Sequence, residues 1–234
     1  MKLGILHCGS VLPAFQVKFS DYPDMIQHWL ADTGQPIEFS IYAVNHGTYP
    51  KHINDCDAYI TTGSHESVYE HKAWINQFQS YLSELHKNRK KLIGICFGHQ
   101  LIAQALGGKT KSATYGWGVG VKTSNIVTQP NWMQPPLSKL NLLVSHQDQV
   151  TELPADSVLI AASDYCPHAA YTVGSHILCF QGHPEFNKQY SETLMRHRGN
   201  LLGKKVLNEG LASLTLPTDE KVVAQWIMTF INQN

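Results

Sequence analysis

Residues 92–106 read LIGICFGHQLIAQAL, an apolar strand-like run followed at once by a helix-compatible run. At the junction, Cys96 stands between Gly94 and Gly98 in the pattern Gly-x-Cys-x-Gly, the cysteine counterpart of the nucleophile elbow. Such an elbow presents a reactive side chain on a sharp turn between a strand and a helix. The positive end of the helix dipole favours the thiolate form of a cysteine placed there. The pattern therefore predicts a cysteine nucleophile, whose partners must lie elsewhere in the chain.

Strands and helices alternate in the first half of the chain. The strand-like runs are 2–7, 37–44, 58–61 and 92–95, and the helical runs are 21–33, 72–87 and 100–106. This alternation predicts parallel strands joined by crossover helices. Short strand-like segments follow at 119–127, 140–144, 158–162, 169–173 and 176–180, and they predict an antiparallel extension of the sheet. Helices at 187–198 and 219–231 are expected after them.

Composition excludes several classes of protein. The chain has 234 residues and a formal net charge of zero, so charge gives no reason to expect binding to nucleic acid or to an anionic membrane. No apolar run approaches membrane-spanning length. The five cysteines are an odd number without a C-x-x-C pair, and the first residues fit a strand better than a signal peptide. We therefore expect reduced thiols and a cytoplasmic protein.

A second motif, FQGHPEF at 180–186, follows a predicted strand. In extended backbone, residues two apart face the same side, so His183 and Glu185 can point together. A nucleophilic cysteine needs a base, and the base needs a carboxylate to set its tautomer and orientation. Cys96, His183 and Glu185 supply these three roles. A metal site is the weaker interpretation, because the thirteen histidines show no other close ligand spacing; neither a metal nor a cofactor is expected.

A third element is the strand end Ile60-Thr61-Thr62-Gly63-Ser64. Glycine lets the backbone approach a ligand closely. The amides of Gly63 and of Phe97, the residue after the nucleophile, are candidates for the oxyanion hole. An ordinary β-turn is the alternative interpretation of this segment.

In combination, these motifs resemble the class I (triad-type) glutamine amidotransferases, and most closely the stand-alone proteins similar to the amidotransferase half of GMP synthase. The matching stretches are TTGS at 61–64 with SVYE at 67–70, GICFGHQ at 94–100, GWG at 116–118, VSHQD at 144–148 and GHPE at 182–185. The resemblance implies one flavodoxin-like α/β domain over residues 1–234, a three-layer sandwich around a mostly parallel mixed sheet, with C-terminal helices after about residue 187.

The resemblance also implies a glutaminase mechanism, in which the Cys96 thiolate attacks the γ-carboxamide of glutamine and forms a γ-glutamyl thioester. The positions that contact the amino-acid end of the substrate in the family are Gln100, Ser145 and His146 in this chain. The alternative interpretations are a solvent-facing helix residue for Gln100 and a hydrogen-bonded core or loop histidine for His146. The chain departs from the family in two places. Thr114 and Tyr115 stand where many members have an acidic residue, and Gly182 stands where many have a bulkier one.

Three functions remain open on the sequence. The first is a glutaminase that passes ammonia to a synthetase partner, since the chain has no phosphate-binding loop of the kinds that activate an acceptor. The second is a hydrolase of γ-glutamyl peptides or amides that acts alone, which the missing acidic residue near Tyr115 would fit. The third is a non-catalytic binding or regulatory protein on the same fold. In the first two, the substrate is a small molecule.

Overall fold

A nine-stranded mixed sheet forms the centre of the computed structural model, which describes residues 1–233. The strands are β1 (Lys2–Leu6), β2 (Glu38–Tyr42), β3 (Ala58–Thr61), β4 (Lys91–Ile95), β5 (Lys109–Ser112), β6 (Gly118–Ile126), β7 (Lys139–His146), β8 (Asp148–Glu152), β9 (Ser157–Ala162), β10 (Ala170–Val173) and β11 (Ile177–Phe180). Their order is β2-β1-β3-β4-β11-β10-β9-β6-β7, and β5 pairs with β8 in a separate antiparallel ribbon. The five strands from β2 to β11 are parallel, and the remaining pairs are antiparallel.

Helices cover both faces of this sheet. They are α1 (Pro13–Phe19), α2 (Tyr22–Ala31), α3 (Ala73–Lys87), α4 (Phe97–Ala105), α5 (Lys188–His197), α6 (Gly199–Ser213) and α7 (Glu220–Asn232). The apolar sides of α2 and α7 pack on one face, and those of α3 and α4 pack on the other. The predicted three-layer α/β architecture is confirmed. None of the helices among residues 1–233 combines the length and the apolar character needed to cross a bilayer.

The pattern of burial explains why the central strands are apolar throughout. All four residues of β3 are buried, as expected for a parallel strand covered on both faces. Successive side chains alternate between the two layers. Ile60 therefore packs in the cluster that contains Trp29 of α2, whereas Tyr59 packs in the cluster that contains Phe78 of α3.

One of the predicted pairings needs correction. Residues 176–180 were expected in the antiparallel extension, but β11 runs parallel to β4 and belongs to the parallel half of the sheet. The reason is the tight connection through Gly174, which reverses the chain between β10 and β11. This reversal aligns β11 with β4, so the ends of both strands meet at one edge.

Several elements lack the periodic pattern on which sequence-based prediction depends. Helix α1 buries none of its residues. Helix α6, where only a connection was expected, buries only Leu202 and Gly210 and is interrupted at Gly203, which has φ +74°. The polar ribbon of β5 and β8 was likewise not predicted from the sequence. An element without a continuous buried face leaves no apolar stripe in the sequence.

Candidate active site

Cys96 lies at the turn between β4 and α4, with φ +48° and ψ −98°. This left-handed backbone is strained for a residue other than glycine and is typical of a nucleophile elbow. The Cys96 amide donates a hydrogen bond to the Phe180 carbonyl at 2.9 Å, which ties the elbow to the end of β11. The thiol is thereby held at the carboxyl edge of the parallel strands, where open α/β sheets bind ligands.

Both glycines of the elbow are required by close packing. A Cβ on Gly94 would lie 2.7 Å from Ile102 Cδ1, and one on Gly98 would overlap the Thr61 side chain. The Thr61 hydroxyl accepts a hydrogen bond from the Ile95 amide at 3.0 Å, so it has little freedom to move away. Helix α4 consequently starts directly against the end of β3, which fixes the position of Cys96.

We expect Gly98→Ala to lower the free energy of unfolding by about 1–3 kcal/mol, because the new methyl group would overpack the contact with Thr61. Urea denaturation followed by circular dichroism measures this change. Gly199→Ala is the matched control, since a Cβ there would meet only Leu207 Cδ2 at an ordinary 3.4 Å. Equal stability of the two variants would contradict the proposed packing requirement.

His183 and Glu185 form a buried pair after β11. The predicted extended backbone is wrong here, because Pro184 and Glu185 form a turn in which the Phe186 amide donates to the His183 carbonyl at 3.3 Å. The distance from His183 Nδ1 to Glu185 Oε1 is 2.7 Å, and the two side chains are only 5% and 0% exposed. The His183 amide donates to the Leu143 carbonyl at 2.8 Å. The imidazole also stacks on the Phe186 ring, with centroids 3.9 Å apart and an interplanar angle of 8°. These contacts fix the orientation of the imidazole ring. Because Glu185 binds Nδ1, the other ring nitrogen, Nε2, does not contact it.

Opposing effects set the pKa of His183. Burial disfavours the charged ring and lowers the pKa, but the negative charges of Cys96 and Glu185 outweigh burial and raise the pKa to about 10. The imidazolium form therefore prevails near neutral pH. An imidazolium in this position can donate a proton to a leaving group.

The two candidate oxyanion donors are the amides of Gly63, which follows β3 in the chain, and of Phe97, the first residue of α4. The amides of Gly63 and Phe97 have no hydrogen-bond acceptor among residues 1–233. A Cβ on Gly63 would lie 3.0 Å from His183 Cε1, so the backbone there packs against the imidazole. Both amides are thus free to donate to a ligand, although their role as an oxyanion hole stays a prediction.

A cleft of about 230 Å³ opens beside Cys96. It is smaller than the roughly 300–1,000 Å³ typical of sites for drug-sized ligands, which suits a small polar metabolite. Its walls include the three predicted substrate-binding residues, Gln100, Ser145 and His146, and also Trp117, Asp148 and Arg198.

The three predicted substrate-binding side chains are all in contact with other protein groups. The buried Gln100 amide nitrogen donates to the Asp148 carbonyl at 2.7 Å and to Gln181 Oε1 at 3.0 Å, so Gln100 does not face solvent. Ser145 Oγ accepts a hydrogen bond from Arg198 at 2.9 Å. Burial lowers the pKa of His146 to about 4, so its ring is neutral near pH 7.

Sequence reasoning assigned no role to three residues of the site. The buried Gln181 amide nitrogen lies 3.7 Å from Cys96 Sγ, and its position two residues before His183 was the signal that could have identified it. Asp148 ends the VSHQD stretch at 144–148, which resembles the family but predicts no role for this residue. Arg198 lies at the junction of α5 and α6, and no local motif marks it.

The departure at Gly182 has a packing explanation. A Cβ at this position would lie 2.7 Å from Leu142 Cβ, so Leu142 of β7 fills the space that a bulkier residue would occupy. The five cysteines are buried and free, and no cluster of three or more potential metal ligands occurs within residues 1–233.

Comparisons with known proteins agree on one family. The family model described as glutamine amidotransferase class-I matches residues 19–199. Gamma-glutamyl peptidase 3 of Arabidopsis thaliana is 31% identical over 193 residues, which cover 78% of this chain and 76% of the peptidase. The glutamine-hydrolysing GMP synthase of Streptococcus pneumoniae strain P1031 is 28% identical over 181 residues, which cover 76% of this chain but 34% of the synthase.

The fold is also similar to solved structures. A crystal structure of a glutamine amidotransferase from Thermotoga maritima aligns with a TM-score of 0.74 at 17% identity, covering 98% of this chain and 95% of the other. At this level of identity the likeness concerns the architecture, namely the mixed sheet and its flanking helices.

Proposed function

Because the chain belongs to the class-I glutamine amidotransferase family, we propose that it hydrolyses the γ-carboxamide of glutamine through Cys96, His183 and Glu185. One observation carries this proposal. The His183–Glu185 pair is buried, with Nδ1 and Oε1 2.7 Å apart, and it adjoins a strained Cys96 that borders a small cleft. A nucleophile, a general acid–base and an orienting carboxylate are the components of a thiol hydrolase.

In the first half of the proposed reaction, the Cys96 thiolate attacks the γ-carbonyl carbon and forms a carbon–sulfur bond. The carbonyl electrons move to the oxygen, and the amides of Gly63 and Phe97 donate hydrogen bonds to the developing oxyanion. The tetrahedral intermediate then collapses and the carbon–nitrogen bond breaks. His183 gives its proton to the leaving nitrogen, so ammonia departs and a γ-glutamyl thioester remains.

In the second half, His183 takes a proton from water, and the hydroxide attacks the thioester carbon. The carbon–sulfur bond breaks, glutamate leaves, and the Cys96 thiolate and the His183 imidazolium are restored. Glu185 holds the imidazole orientation through Nδ1 in both steps and stabilises its positive charge. The released ammonia would be transferred by a synthetase partner, a proposal that the similarity to GMP synthase supports.

A second candidate is hydrolysis of γ-glutamyl peptides without a partner. The relatives named gamma-glutamyl peptidases from Arabidopsis thaliana support it. The chemistry is the same, except that an amine takes the place of ammonia as the leaving group. The two candidates therefore differ in what lies beyond the scissile nitrogen and not in the proposed catalytic groups.

One assay separates these functions. The purified protein is incubated with glutamine and, separately, with γ-glutamyl dipeptides, and ammonia, glutamate and free amino acid are measured. Ammonia production that rises with a copurified partner supports the first candidate, and peptide cleavage without a partner supports the second. The absence of any turnover, together with no labelling of Cys96 by a glutamine-analogue electrophile, would exclude both and leave a non-catalytic binding protein.

The proposed mechanism also predicts a pH dependence. As pH rises through about 10, the pKa of His183, kcat/KM should fall because the neutral ring has no proton for the leaving group. Glu185→Gln removes one of the negative charges that raise this pKa, so the alkaline limb should move to lower pH. The pH profiles of wild type and variant test this, and an unmoved limb would contradict the role of Glu185.

A further inference from the structure

The cleft contains a cation, Arg198. No carboxylate lies within ion-pair distance of Arg198 among residues 1–233. Its guanidinium donates to Ser145 Oγ at 2.9 Å, lies 3.1 Å from His65 Nδ1, and sits over the Trp117 ring at 5.2 Å. An arginine that is held in place but has no carboxylate partner is suited to bind a carboxylate ligand, because its planar N–H groups match both oxygens.

Asp148 is the negative counterpart in the same cleft. Its Oδ2 accepts from the Ser67 hydroxyl at 2.5 Å and its Oδ1 from the Tyr69 hydroxyl at 2.9 Å, and both donors are neutral. No basic side chain within the described part of the chain forms an ion pair with it. The other acid in the cleft wall, Glu66, is already paired with Lys72 at 2.8 Å. Asp148 thus remains available for an ammonium group.

We propose that Arg198 and Asp148 form the subsite for the α-amino acid end of a γ-glutamyl substrate, with Arg198 on the α-carboxylate and Asp148 on the α-ammonium. This inference rests on the proposed function and deepens it. The γ-glutamyl group carries both charges on one carbon atom, and the two side chains line the cleft that Cys96 also lines. The subsite would make the enzyme selective for γ-glutamyl compounds over simple amides.

The selectivity has a physical basis. A substrate that lacks either charged group leaves Arg198 or Asp148 partly desolvated and unpaired, which costs binding free energy. Sites built to bind a polar group therefore reject analogues without it more strongly than apolar pockets reject a missing methylene.

The test measures kcat/KM for three amides: L-glutamine, γ-aminobutyramide, which lacks the α-carboxylate, and glutaramate, which lacks the α-amino group. Arg198→Met should lower kcat/KM for glutamine roughly 10- to 100-fold, mainly through KM, and leave γ-aminobutyramide unchanged. Asp148→Asn should lower kcat/KM for glutamine by a similar factor and leave kcat/KM for glutaramate unchanged. Arg196→Met is the matched control, because Arg196 lies on the same helix, pairs with Glu192 at 2.8 Å and is 62% exposed; it should behave as wild type.

A loss of the same factor for all three amides would indicate a structural role for Arg198 and overturn the proposal, as would an unchanged value for glutamine. The carboxylate could also belong to the leaving amino acid of a peptide. In that case Arg198→Met would lower kcat/KM for γ-glutamylglycine but not for γ-glutamylglycinamide. This result would overturn the assignment of Arg198 to the α-carboxylate. An equal loss for both peptides supports it.

A binding measurement keeps this inference separate from the proposed function. Cys96→Ala protein is titrated calorimetrically with glutamine and with γ-aminobutyramide. The subsite is supported if glutamine binds more tightly than γ-aminobutyramide and if this difference is lost when Arg198→Met is added. This holds even if the wild type turns over none of the amides, since that result would reject only the proposed reaction. Equal affinities for the two compounds would overturn the subsite while leaving the reaction intact.

Discussion

Cys96→Ala is expected to lower kcat for glutamine and for γ-glutamyl peptides by about 10⁶-fold, the scale seen when a triad hydrolase loses its nucleophile. Alanine has no atom that can form the thioester, whereas the His183–Glu185 pair and the cleft remain. The fold should be retained, because the substitution keeps the Cβ and the backbone at φ +48° already accommodates one. Steady-state assays of ammonia and amine release measure the loss.

Cys8→Ala is the matched control for this experiment. Cys8 is also buried, and burial raises the pKa of its thiol, so that cysteine is expected to be inert. A glutamine-analogue electrophile should label wild type and Cys8→Ala but not Cys96→Ala. Turnover that survived in Cys96→Ala, or labelling that persisted in it, would rule out Cys96 as the nucleophile.

His183→Ala should cause a loss of similar size, on the order of 10⁶-fold in kcat, because removing the base of such a triad costs about as much as removing the nucleophile. The variant would lose the proton donor for the leaving nitrogen and the positive charge that stabilises the Cys96 thiolate. Alkylation of Cys96 should therefore become slower as well. The rate of alkylation separates this effect from a general loss of substrate binding.

His176→Ala provides the matched control, since His176 precedes β11 and His183 follows it. His176 is buried and its Nε2 lies 3.1 Å from His86 Nδ1, at the end of the strand opposite to the cleft. We expect this variant to be less stable but to keep its activity, and thermal melting of both variants corrects for differences in folding. A His183→Ala enzyme within about tenfold of the control would be inconsistent with general acid–base catalysis by His183, which contributes roughly 10²–10⁴-fold.

The parts of the fold that could be predicted from the sequence are those with a continuous buried face. Residues 58–61 were predicted as a strand and form β3, and the helix predicted at 72–87 is observed at Ala73–Lys87. A helix covered on one face carries apolar residues with a period of 3.6, whereas a strand covered on both faces, such as β3, is buried at every residue. The partly exposed α6 carries no comparable period, and its kink at Gly203 interrupts even the helical spacing.

The sequence by itself determined the chemistry of the three proposed catalytic residues. The Gly-x-Cys-x-Gly pattern marks the elbow around Cys96, and the GHPE stretch supplies a base and a carboxylate two residues apart. The tertiary structure decided their arrangement, since Gly98 packs against Thr61 of β3 and a turn at Pro184 and Glu185 takes the place of the predicted extended backbone. Only the tertiary structure decided how these groups meet, because the parallel pairing of β11 with β4 is a contact between distant segments. The same holds for Arg198 and Asp148. Whether a charged side chain has an ion-pair partner depends on its distances to residues far away in the sequence, and no local sequence pattern records those distances.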